Sequence, residues 1–201
     1  MPKALRPGAR VRADWVVIVP FRAASAKSRF GPGDNAELAM AMALDTVAAA
    51  LTVAHVIVVT DAAEPFVALG AAVHPDPGAG LNAAIAAGLE QAGVDTPRAV
   101  LLGDHPALTP TELAAALAAA THPLSLVADA AGDGSALTAA RPGVPHALAF
   151  GPGSRAAHIA EGYVELDGDW PGLSADVDTA ADLAGLADPG PRTSAWLASR
   201  S

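Results

Sequence analysis

Arg98-Ala-Val-Leu-Leu-Gly-Asp-His-Pro-Ala-Leu108 reads as a short buried strand that stops at an acid. Ala99 to Leu102 supply the apolar run, Gly103 ends it, and Pro106 prevents the chain from continuing as strand or helix. In an open α/β sheet, ligands gather beyond the carboxyl ends of the strands. Asp104 therefore stands either as a turn cap, a common use of Asp, or as a metal-binding or catalytic carboxylate. The stretches on either side bear on the choice.

Upstream, Trp15-Val-Val-Ile-Val-Pro20 and Val56-Ile-Val-Val-Thr60 are apolar almost throughout, as parallel strands covered on both faces are. Helical stretches are expected from Asp34 or Asn35 to about Thr52, around 65–69, and from Leu81 to Gly93, with a brief strand near 71–74. Downstream, Thr109-Pro-Thr-Glu112 is a capping box with proline at the first helical position, starting a helix that runs to about Ala120. Leu124–Ala128 and a run through Ala139 read as strands, Ser154 begins a short helix, and 163–166 is a weak strand. Thr179 caps a last helix through Leu183 and Leu186. Alternating strands and helices predict a single α/β domain over 1–201, with a basic arm at 1–13 and a loosely held tail at 188–201.

Composition narrows the function. Apolar residues make up 52% of the chain and aromatic ones only 4%, so the core must be built from Ala, Val and Leu. The absence of cysteine removes disulfides, thiolate zinc sites and a Cys nucleophile. No apolar run approaches the roughly 20 residues of a membrane span, and the N-terminus lacks the apolar core of a signal peptide. A cytoplasmic protein without a membrane partner is expected.

A net charge of −9 argues against nucleic acid as a partner. Yet seven of the twelve basic residues fall in the first 29 positions: Lys3, Arg6, Arg10, Arg12, Arg22, Lys27 and Arg29. The last three follow the first strand, where a loop would cross the ligand edge. A nucleotide phosphate could be held there in an otherwise acidic protein.

The standard signatures are missing. There is no G-x-x-x-x-G-K-[ST], no complete G-x-G-x-x-G, no H-E-x-x-H and no G-x-S-x-G. What remains is a set of carboxylates. Asp176 and Asp178 are spaced so that extended chain places both side chains on one face. With Asp104 they suit a hard cation such as Mg2+, which takes one or two protein carboxylates plus substrate phosphates. The alternative is that Asp176 and Asp178 only favour a following helix start through its macrodipole. Lys27, one of two lysines, offers a compact ammonium to a departing triphosphate tail. Ser135 and Ser154, each beside glycine, offer donors to an anion or simply make turns.

Taken in order, the pieces resemble the guanylyltransferases that begin the side chain of the deazaflavin coenzyme F-420, which act on phosphoenolpyruvate or 2-phospholactate. The resemblance spans roughly Trp15 to Leu186. It rests on Ala26-Lys-Ser-Arg29, Asp76-Pro-Gly78 with Gly80-Leu-Asn-Ala83, and Gly103-Asp-His-Pro-Ala-Leu108. It continues in Val127-Ala-Asp129 with Gly132-Asp-Gly-Ser135, in Phe150-Gly-Pro-Gly-Ser-Arg155, and in Pro171-Gly-Leu173 with Asp176-Val-Asp178-Thr179. Each piece is weak alone; six in the right order are specific.

The resemblance implies a three-layer nucleotidyltransferase (GT-A/MobA-like) α/β fold with a mostly parallel, mixed central sheet. It implies attack by a substrate phosphate oxygen on the α-phosphorus of GTP, with release of pyrophosphate. Asp104, Asp176 and Asp178 would then be the Mg2+ ligands, with Asp104 and Lys27 the catalytic pair. Ser135, Gly151 and Ser154 would hold a phosphorylated three-carbon acid, and Arg22, Lys27, Gly80, Asn82 and Gly103 would face the nucleotide. A homodimer is left open. Two departures stand out: Phe21-Arg22 replaces the family's Lys-Arg pair, and His105 replaces an apolar residue after the aspartate.

Other readings are a molybdopterin- or sugar-type nucleotidyltransferase and a non-enzymatic nucleotide-binding module. The former carry a glycine-rich loop after the first strand, where this chain has Ala23-Ala-Ser-Ala26. The latter has no need of three carboxylates.

Overall fold

The apolar run Val16–Phe21 forms strand β1 near the middle of a seven-stranded sheet. The architecture comes from a computed structural model, which describes residues 14–23 and 35–200. After β1 come helix α1 (Asn35–Leu51), β2 (His55–Thr60), α2 (Ala63–Leu69), β3 (Ala72–Pro75), α3 (Leu81–Ala92) and β4 (Arg98–Leu101). The second half holds α4 (Pro110–Ala119), β5 (Leu124–Ala128), β6 (Ser135–Ala140), α5 (Ser154–Ala160), β7 (Val164–Glu165), α6 (Pro171–Ser174), α7 (Ala180–Gly185) and α8 (Pro191–Ala198).

The sheet order is β3-β2-β1-β4-β6-β5-β7. β6 runs antiparallel to both β4 and β5, and the other pairings are parallel. The sheet is therefore mixed but mostly parallel, as the resemblance implied.

Alternation along the strands builds the two outer layers. Val17, Val19 and Phe21 face one cluster, which α1 joins through Ala43 and Val47 and α4 through Leu113 and Leu117. Ile18, Ile57, Val59 and Val100 face a second cluster, covered by Ile85 and Leu89 of α3. Contact on that side is close: a Cβ at Gly88 would lie 2.6 Å from Ile18 Cγ2.

The capping box forms as expected. Thr109 Oγ1 accepts from the Glu112 N–H at 3.2 Å, and Glu112 Oε2 accepts from the Thr109 N–H at 2.9 Å. Glu112 also uses its other oxygen to hold the Gly172 N–H at 2.7 Å, tying α6 to the start of α4.

The tail departs from its expected looseness. α8 docks on α1 through Asp45, whose buried carboxylate accepts from the backbone N–H of Arg192 at 3.2 Å and of Thr193 at 2.8 Å. Gly190 allows the approach, since a Cβ there would come 2.5 Å from Asp45 Cγ. Trp196 packs on the small cluster of Leu38, Met42 and Val177. No helix among the described residues is long and apolar enough to cross a membrane.

Candidate active site

A cleft of about 740 Å³ opens at the carboxyl edge of the sheet, where β1, β4 and β5 end and β6 begins. It gathers nine of the residues singled out in the sequence: Arg22, Gly80, Gly103, Asp104, Ser135, Gly151, Ser154, Asp176 and Asp178. Asn82 does not line it, and Lys27 lies outside the described residues, as do Arg29 and Asp34.

Two segments far apart in sequence form the acidic wall. Asp104 follows β4, and its backbone carbonyl accepts a hydrogen bond from the Val177 N–H at 3.0 Å. That single bond fixes the Asp176–Asp178 segment against the strand end. The two following helices are capped by other residues, Thr109 with Glu112 and Thr179 with Asp182.

Burial, and after it the charge of Asp104, hold the Asp176 carboxyl above its ordinary range; Asp129 adds to this and His105 opposes it. Crowding acids in a cleft is costly unless a cation offsets them. His105 supplies little offset, since its ring is wholly buried and burial pushes its pKa down to about 4. Its Nε2 is 3.6 Å from Asp104 Oδ1, beyond hydrogen-bond range. It is a neutral wall residue.

The donor set is all hard oxygen, which fits a divalent cation such as Mg2+ and not a soft metal. Among the described residues, however, no three His, Asp or Glu side chains come together as a ready-made metal cage. The expected three-ligand set is thus a shared acidic wall. A hard cation taking one or two of these carboxylates would complete its shell with substrate oxygens and water.

The opposite wall is rich in hydroxyl and backbone donors, with the Asp129 and Asp133 carboxylates holding its turns. Ser135 opens β6 and Ser154 opens α5, both buried with their faces to the cleft. The turn between them is built for close approach: Gly151 has φ +141°, a conformation L side chains rarely adopt. Its hydrogen bonds come partly from Asp133, which accepts from the Gly153 N–H at 3.0 Å. Asp129 in turn accepts from the N–H groups of Asp133 at 3.0 Å and Gly134 at 2.7 Å. These two acids were visible in the Asp129–Ser135 motif but carried no role; their short-range spacing across a glycine pair was the available signal.

Asn82, expected near the nucleoside, spends its side chain on the Phe150 backbone. Its amide N–H donates to the Phe150 carbonyl at 3.0 Å, and its carbonyl accepts from the Phe150 N–H at 3.1 Å. The side chain is a clamp between α3 and the 150–153 turn. On the remaining side, Arg22 pairs with the buried Asp76 carboxylate at 3.5 Å, joining the ends of β1 and β3. Gly80 enters α3 at φ +95°, which again favours glycine.

The chain matches the MobA-like NTP transferase domain over residues 28–177. A phosphoenolpyruvate guanylyltransferase of Salinispora arenicola is 50% identical over 198 residues, covering 89% of this chain and 91% of the relative. One from Thermomonospora curvata is 51% identical over 203 residues, covering 92% and 89%. The chain belongs to the phosphoenolpyruvate guanylyltransferase family. It is a nucleotidyltransferase. The fold of this guanylyltransferase family member is shared by a nucleotidyl transferase from Methanothermobacter, with TM-score 0.60 and 20% identity over 85% of this chain and 94% of that one.

Proposed function

We propose that this cleft transfers GMP from GTP to the phosphate of phosphoenolpyruvate, with 2-phospholactate as the other acid to be tried. An oxygen of the acid's phosphate forms a bond to the α-phosphorus of GTP, the bond from that phosphorus to the β-phosphate bridge breaks, and pyrophosphate leaves. The product is the acid joined to GMP through a diphosphate (phosphoanhydride) link, the activated precursor from which the coenzyme F-420 side chain would be built in the cytoplasm.

The observation that carries this reading is the pairing, across one cleft, of the Asp104, Asp176 and Asp178 carboxylates with a wall of hydroxyl and glycine-turn donors at Ser135, Gly151 and Ser154. Such a transfer asks a protein for positioning and charge neutralisation and for little covalent chemistry. Asp104, Asp176 and Asp178 would hold Mg2+, which when bound supplies charge neutralisation at the phosphates. Ser135, Gly151 and Ser154 hold the acid, with Gly151 letting the backbone come close. Arg22, Gly80 and Gly103 line the nucleotide side, and Lys27 would meet the triphosphate from the segment after β1.

Pyrophosphate release from GTP and Mg2+ with each acid offered separately tests the proposal. Release stimulated by phosphoenolpyruvate is expected. Absence of stimulation by any phosphorylated three-carbon acid, in protein that still binds GTP, overturns it.

A further inference from the structure

His158 belongs to a buried cluster behind the acceptor wall, and the transfer as written does not use it. The residue lies one turn beyond Ser154 on the same face of α5. Its Nδ1 is 2.9 Å from Ser135 Oγ, and Ser154 Oγ is 3.5 Å from the same oxygen. The ring is wholly buried and wedged between Phe150 and Tyr163, with centroids 4.8 and 4.9 Å away. It does not itself line the cleft.

A serine hydroxyl has one proton to give. If Ser135 donates it to His158, only lone pairs face the cleft, and an anionic acid is disfavoured there. The imidazole avoids this by carrying its own proton on Nδ1. One observation places it there. Nε2 has no hydrogen-bond partner among the described residues, so a proton on it would be an orphaned buried donor, which is rare. Burial keeps the ring neutral, so one nitrogen holds the one proton.

We infer that His158 is a positioning residue whose Nδ1–H donates to Ser135 Oγ and turns the Ser135 proton toward the anionic acceptor acid. This rests on the reading of Ser135 and Ser154 as the acid's binding residues.

The experiment compares Ser135→Ala, His158→Asn, His158→Gln and His158→Leu in the full chain, with separate KM values for phosphoenolpyruvate and GTP. Asparagine can put an amide N–H near the Nδ1 position, whereas glutamine carries the same amide one carbon further on. His158→Gln and His158→Leu should raise the KM for phosphoenolpyruvate about tenfold, the scale of one lost hydrogen bond. The KM for GTP should stay within about twofold, and His158→Asn should recover most of the loss. Ser135→Ala combined with His158→Gln should be no worse than Ser135→Ala alone, since coupled residues are non-additive.

Equal behaviour of the Asn and Gln variants, additive effects in the double variant, or equal rises in both KM values would overturn the inference. Should Ser135→Ala raise the acid KM while no His158 variant does, the inference alone fails. Should Ser135→Ala leave the acid KM unchanged, the acceptor-site reading fails and takes the inference with it. If His158→Leu does not fold, the Asn and Gln pair decides.

Discussion

The backbone carbonyl of Asp104 accepts the Val177 N–H at 3.0 Å, so the residue lying between the two late acids is fastened to the residue carrying the early one. Val177 is itself buried against Leu38 and Met42 of α1. The acidic wall is thereby held by the core, and its carboxylates need not be held by each other.

Replacing Asp104 by Asn should separate function from stability. The Asp176 carboxyl is raised by burial first and by the Asp104 charge second. A raised carboxyl contributes stability below its unfolded pKa and loses it as pH climbs through the folded value. Removing the Asp104 charge eases that loss at neutral pH. Thermal melting at pH 7 should show a midpoint equal to or above the parent, while pyrophosphate release falls about a hundredfold or more. A variant losing both would point to a structural role for Asp104.

Asn82→Ala should affect the acid and spare the nucleotide. It removes both bonds to the Phe150 backbone, leaving buried backbone groups to find new partners at a cost of about 1–3 kcal/mol. The turn carrying Gly151 and Ser154 then loosens. Kinetics with each substrate varied separately should show the KM for the acid rising and that for GTP nearly unchanged; the reverse pattern would return Asn82 to the nucleoside.

Acid should unfold this protein early. Burial depresses the pKa of His105 and His146 to about 4 and lowers that of His158. Between their ordinary value of 6.5 and about 4, the unfolded chain takes up protons that the native rings refuse. Stability therefore falls as pH drops through that window, by up to about 3 kcal/mol for a ring shifted this far. Urea titrations at pH 7 and pH 5 measure the slope, and His146→Gln should flatten it.

Asp45→Ala should release the C-terminal helix. The carboxylate accepts two backbone N–H groups and pairs with the Arg192 guanidinium at 3.3 Å. Losing a charged acceptor of this kind costs about 1.5–3 kcal/mol. Limited proteolysis should cut the variant first between residues 187 and 200. Because the Gly190 N–H donates to the Pro106 carbonyl at 2.7 Å, the loop carrying Asp104 should also become more accessible to hydrogen exchange.

The parallel half of the fold was legible because β1 and β2 are apolar on both faces, and capping chemistry marked the start of α4. Strand direction was not legible in β6: six buried residues, all but Leu137 with small side chains, read the same either way. Asp104 could be read from its place at a strand end, and Asp176 with Asp178 from their spacing. The clamp made by Asn82 was not legible, because its partner Phe150 is 68 residues away. His158 gave no sign at all; a lone histidine on a short helix has no spacing to betray it. α8 was hidden by composition, since Pro, Gly and Ser suggest slack chain until Asp45 is seen to hold them.

The reversal of β6 divides the cleft by origin. The residues proposed to face the nucleotide come from the ends of β1 and β4 and from the entry to α3, whereas Ser135, Gly151 and Ser154, proposed to hold the acid, come from a hairpin and a turn fed by the backward strand. The two sets face each other across the cleft, with Asn82 as a cross-tie. A lineage could therefore exchange the 129–135 hairpin and the 150–155 turn to accept a different acid, leaving its handling of the nucleotide untouched.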